Sequence, residues 1–170
     1  MIQSNIMDAY TLASWKDFFI ATSGASAAFA GLLFVGLSIN LARIIALPGI
    51  ADRAGGTLIL LGGVLIASVL GLVPQPSSAF GIELLCVGSI VWIVATTLDA
   101  QAIRHHYYDT TYHGFQRVLF SQLATLPLII GAALFLMHTG GGLYWMIPAL
   151  IVPLLVSMFN AWVLLVEILR

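Results

Sequence analysis

The stretch "SGASAAFAGLLFVGLSINLARI" (23–44) runs for twenty residues without a charge before Arg43, and its first third is almost entirely Gly, Ala and Ser. At about 1.5 Å per residue such a run matches the roughly 30 Å hydrocarbon core of a bilayer, so it predicts a membrane-crossing helix. The rest of the chain agrees. Of its 170 residues 61% are hydrophobic and only 8% charged, with a mean hydropathy of +1.06. Soluble domains carry about 25% charged residues, and a water-soluble fold cannot cover this much apolar surface.

Runs near twenty residues that lack charge place five spans at about 18–42, 57–73, 80–98, 118–137 and 143–166. The second is the shortest. Between them lie "LPGIADRAGG", "PQPSSAFG", "AQAIRHHYYDTTYHGFQ" and "HTGG", whose Pro, Gly and Ser content breaks helix. These connections are too short for a second domain, and lipid forbids open sheet edges. The expected fold is therefore all-α, one polytopic bundle of five spans over residues 1–170. Residues 1–16 form an outer interfacial segment, since Ile2, Ile6 and Tyr10 fall at helical spacing.

Orientation follows from the basic residues, which concentrate in cytoplasmic loops. Alternating spans put Arg43, Arg53, Arg104, Arg117 and Arg170 on one side and Lys16 alone on the other. That asymmetry predicts an N-terminus outside and a C-terminus inside. Trp15, Tyr144 and Trp145 then fall at the outer boundary, and Tyr107, Tyr108 and Tyr112 at the inner one. The first ten residues hold no basic segment of a secretory signal, so the first run is expected to remain as an anchor. A net charge of −1 points to no nucleic acid. The single cysteine, Cys86, can form no internal disulfide and reads as a small apolar side chain.

On a helix, Ala21, Gly24, Ala28, Gly31, Val35, Ser38 and Ala42 follow a 3,4 repeat, and all but Val35 are small. Little hydrophobic force joins helices within a membrane. They associate by close backbone approach, which small residues permit. The stripe is thus a contact surface, either for a neighbour in the same chain or for a second copy. The need of a five-helix bundle for a central helix favours the first, with this span as organiser.

The fifth span carries Ser157, Asn160, Leu164 and Glu167 on one face, a polar seam on an apolar helix. Spans one and five run in the same direction, so Arg43 is expected to meet Glu167, with Asn40 and Asn160 bonding deeper. A charge at mid-membrane costs about 2.5–3.5 kcal/mol on insertion scales, so such groups should pair or face water. The seam reads first as a structural ion pair and second as a path for an ion or proton. "RHHYYDTTYH" (104–113) is the one dense cluster of ligand-type residues. As helix it puts His105, Asp109 and His113 at i, i+4 and i+8, a geometry open to a divalent metal, although an interfacial loop explains the same composition. Asp99 has Arg104 or Arg43 as expected partners, while Gln122 and Thr125 are placed to bond across helices. No haem-attachment, phosphate-loop or HExxH motif is present, and no cofactor is expected.

Taken together, "GASAAFAGLLFVGLSINLARI" (24–44) and "GLYWMIPALIVPLLVSMFNAWVLLVEILR" (142–170) resemble a group of small bacterial membrane proteins, some labelled modulators of the FtsH membrane protease. The resemblance implies a bacterial plasma membrane and a non-catalytic role. The first span also resembles the pore helix of Orai-type calcium channels, but holds Ser38 where that helix has a glutamate. The leading expectation is a multi-pass, non-enzymatic protein whose partners are the bilayer and its own copies or another membrane protein. A small channel along Ser38, Asn40, Asn160 and Glu167 stands second, and a metal enzyme at His105, Asp109 and His113 third.

Overall fold

In hydrocarbon every backbone N–H and C=O must find its partner within the segment, and each apolar run of this chain does so by becoming helix. The computed structural model describes residues 11–46, 49–104, 111–139 and 141–169, excepting the side chains of Arg43, residues 111–113 and residues 167–169. The elements are α1 (Lys16–Ile39), a short α2 (Leu41–Ala46), α3 (Ile50–Leu70), α4 (Ser77–Arg104), α5 (Thr111–Leu136) and α6 (Met146–Leu169). Single 3-10 turns at Leu12–Trp15 and Gly142–Trp145 lead into α1 and α6. Five of these helices are long and apolar enough to cross a membrane. The expected fold class stands.

The helices run past the apolar windows at several ends. The third begins at Ser77 and continues to Arg104, and the second starts seven residues early with Ile50, Ala51, Asp52 and Arg53. A polar turn lowers local hydropathy without stopping helix, which explains the difference. The first span ends earlier than expected: the Asn40 N–H bonds the Leu37 carbonyl (3.2 Å) at a joint before α2. Most of the expected outer interfacial segment, residues 1–10, lies outside the described residues.

Successive spans pack antiparallel. Phe19 lies against Gly71 and Ser26 against Leu61; Gly63 faces Val91; Gly81 faces Leu136 and Gly88 faces Ile129; Gly131 meets Trp145 and Met146. Helices α3, α4, α5 and α6 close a ring, and α1 lies on the outside of α3 with slight contact to α6. This corrects the expectation that the first span organises the bundle. The short second span is central: 44% of its apolar window is buried, against 17% for the first. With Ala54, Thr57, Gly63, Ala67 and Ser68 on its buried side, α3 is slender enough to take three neighbours.

At one end the core is dense and aromatic. Phe19, Phe80 and Phe135 meet edge to face at 5.9 and 5.8 Å, within a buried cluster that includes Leu61, Leu84, Leu143, Met146 and Leu150. Trp15 stacks edge-on against Tyr144 at 5.1 Å. A second, smaller cluster of Ile44, Ile50, Ala54 and Leu164 closes α3 on α6 at the opposite end. Helix α5 stops in a Schellman turn, with the His138 N–H on the Phe135 carbonyl and the Thr139 N–H on the Leu134 carbonyl, which requires φ of 52° at His138. Pro148 sits harmlessly in the first turn of α6, whereas Pro127 and Pro153 lie inside helices and release the carbonyls four residues before them.

Candidate functional site

Helix α1 has two faces of opposite use. Phe19, Thr22, Ser26, Phe29, Leu33 and Leu37 repeat at three- and four-residue spacing and face the bundle, the first three fully covered. Thr22 Oγ1 and Ser68 Oγ lie 2.8 Å apart, and Ser26 Oγ donates to the Leu61 carbonyl at 2.6 Å, so two hydrogen bonds tie α1 to α3. The small stripe is offset from this seam by two residues, about 200° around the helix. Ala21, Gly24, Ala28, Gly31, Val35, Ser38 and Ala42 are accordingly all exposed. A side-chain carbon added at Gly24 or Gly31 would meet nothing within 4 Å. The reading of the stripe as a contact inside the chain is therefore corrected. Phenylalanine and leucine fill the inward seam, and α1 needs only one of its faces to rest on α3.

The outward stretch 21–31 differs from the other exposed faces. Those present bulk: Ile82, Ile90 and Ile93 on α4, Leu119 and Leu123 on α5, Ile151 and Trp162 on α6. Ala21, Gly24, Ala27, Ala28 and Gly31 leave a flat strip on α1 instead, bordered toward the chain's next turns by Leu32, Phe34 and Val35.

The expected seam between spans one and five is not assembled from the residues described. Ser38 Oγ donates to the Phe34 carbonyl (2.8 Å) and Asn40 Nδ2 to the Gly36 carbonyl (3.0 Å), both within α1. On α6, Ser157 and Leu164 are buried and Asn160 is half-buried; Leu164 packs on Ile50 and Ala54 of α3, with Leu33 and Leu37 of α1 beside that cluster. The seam thus faces α3 more than α1. The side chains of Arg43 and Glu167 lie outside the described residues, and so does the ion pair expected between them. His105 and Asp109 also lie outside them, as does the side chain of His113. Among the described residues no three His, Cys, Asp or Glu side chains gather as a metal site.

Sequence reasoning missed the buried ion pair between α4 and α5. Arg117 Nε donates to Asp99 Oδ1 at 2.7 Å, both side chains nearly covered, at 12% and 8% exposure. Deeper along the same pair of helices, Trp92 Nε1 donates to Gln122 Oε1 (2.8 Å), and Gln122 Nε2 donates to Thr96 Oγ1 (3.3 Å). Gln122 thus bonds across helices as expected, while Thr125 bonds its own Ser121 carbonyl. Asp99 pairs with Arg117 where Arg104 or Arg43 was expected, the side chain of Arg43 lying outside the described residues. A signal was present: Asp99 and Arg117 flank the polar stretch 100–116 directly, so a hairpin turning there brings them opposite one another.

Comparison of the chain with known protein families, with curated proteins and with solved structures finds no match.

Proposed function

We propose that this chain is a non-enzymatic integral membrane protein that works through lateral helix association, with the flat strip of α1 as its contact surface and a second copy as the first occupant. The observation that carries this reading is the contrast in outward faces: bulky aliphatic and aromatic residues on α4, α5, α6 and the last turns of α1, but Ala21, Gly24, Ala27, Ala28 and Gly31 on the earlier turns of α1. A lipid-facing helix gains nothing from small residues. A helix meeting another backbone does, because dispersion grows as the axes approach. Two copies inserted in the same sense bring identical strips together in parallel about a two-fold axis, the commonest closed arrangement. An accessory place beside another membrane protein uses the same surface, and the resemblance to modulators of the FtsH protease supports such a role. That resemblance and the placement of the five arginines support a bacterial plasma membrane with the N-terminus outside.

The test is symmetric cross-linking. In a Cys86→Ser background, Ala28→Cys should form disulfide-linked dimers in native membranes, and adding Gly24→Leu and Gly31→Leu should abolish them while the protein still folds. If Ala28→Cys cross-links no more than Ile90→Cys on the bulky face of α4, a self-association surface is wrong.

A further inference from the structure

The four-helix ring changes character along its length. Beyond the aromatic end small buried residues, Ala54 and Thr57 on α3, Ala95 and Ala102 on α4 and Ala124 on α5, alternate with Leu60, Leu154 and Leu164, and Thr57, Asp99 and Ser157 are buried among them. The register is fixed on each side. Gly56 lies by Leu98, Asp99 pairs with Arg117, and the ring of Phe120 approaches that of Phe159 at 6.2 Å. Thr57, Asp99, Arg117 and Ser157 consequently fall within about one and a half helical turns, roughly 8 Å along the axis.

Among the described residues, two buried polar atoms of this layer have no hydrogen-bond partner: Asp99 Oδ2 and Ser157 Oγ. Each stands on the core-facing seam of its helix, Asp99 in line with Gly88, Ala95 and Ala102, and Ser157 in line with Met146, Leu150 and Leu154. Leaving a buried polar atom unsatisfied is costly, and more so where hydrocarbon surrounds the bundle. The chemistry of the missing partner is constrained. It must donate to a carboxylate oxygen and accept from, or donate to, a hydroxyl. A cation is opposed by the Arg117 guanidinium already on Asp99 Oδ1, and an anion by the carboxylate itself. Water, which both donates and accepts, satisfies both atoms.

We propose that this layer is an internal water site, one or two molecules linking Asp99 Oδ2 on α4 to Ser157 Oγ on α6 across the ring. Water in this position closes the ring with hydrogen bonds where the opposite end closes it with aromatic packing. The site is independent of the outward strip on α1, so Ser157 variants should leave Ala28→Cys cross-linking unchanged.

Two measurements decide it. A structure of the full chain in lipid nanodiscs, at a resolution that displays ordered solvent, should reveal density within hydrogen-bonding distance of Asp99 Oδ2 and Ser157 Oγ. A side chain or a lipid tail filling the layer overturns the proposal. Ser157→Ala supplies a test by sign. If water bridges the two atoms, removing the hydroxyl lowers the unfolding temperature in detergent. If the layer is dry, the substitution removes an unsatisfied group, and an unchanged or raised temperature overturns the proposal.

Discussion

Gly71 and Gly24 are the same residue in opposite surroundings. A side-chain carbon at Gly71 would stand 2.7 Å from the ring of Phe19, and others at Gly63, Gly81 and Gly131 would stand 2.6–2.8 Å from Val91, Leu136 and Trp145. At Gly24 and Gly31 the same atom meets open space. One set of glycines lets neighbouring helices close on each other within the chain. The other set makes no contact inside it, although its spacing is the more regular of the two. Small-residue periodicity therefore identifies a face suited to close approach without saying which helix will approach it.

The largest expected effect that separates the two sets is at Gly71. Its φ of −65° suits any residue, so Gly71→Ala tests space alone. The Phe19 ring is fully buried and held edge-on by Phe80, which gives it nowhere to move. The substitution should cost about 1–3 kcal/mol, the usual range for overpacking a closed core. Thermal unfolding in detergent measures it, and unchanged stability would mean that the α1–α3 contact yields.

A smaller loss is expected at Ser26. Its hydroxyl donates to the Leu61 carbonyl from a fully covered position, and Ser26→Ala should cost about 0.6 kcal/mol, up to about 1.7, as hydrogen bonds between membrane helices do. Ser23, one turn earlier, is less covered and bonds only the Ile20 carbonyl of its own helix, so Ser23→Ala should leave stability unchanged. Equal losses at the two serines would erase the distinction between the faces of α1.

The five spans were legible because hydropathy over twenty residues depends on no neighbour. The facing of each helix was not, because lipid tails and a leucine core are equally apolar and the sequence shows little contrast between them. Phe19 and Leu33 read like lipid-facing residues until α3 is found against them. Polar residues carry more contrast, and Gln122 was rightly expected to bond across helices. Asp99 was paired with the arginines nearest in sequence or at the same membrane boundary, although the hairpin between α4 and α5 brings Arg117 across to it. Helical spacing alone gave no reason to look eighteen residues ahead; the symmetry of the polar stretch between them did. Helical spacing likewise grouped Ser157 with Asn160 and Glu167, when its own burial on α6 is what distinguishes it.

The smallest effect is the most discriminating, because it should have opposite signs in two assays. Glycine inside a helix is destabilising by about 0.5–1 kcal/mol relative to alanine, and nothing on the outer side of α1 obstructs a methyl group. Gly24→Ala and Gly31→Ala, measured on detergent-diluted monomer, should each leave stability unchanged or raise it by up to that amount. The same substitutions should weaken association in membranes, where an added methyl holds the two backbones apart at the strip. A monomer that loses stability would place the strip against a helix of its own chain. One that gains stability while its dimer weakens would assign the first set of glycines to folding and this second set to meeting another molecule.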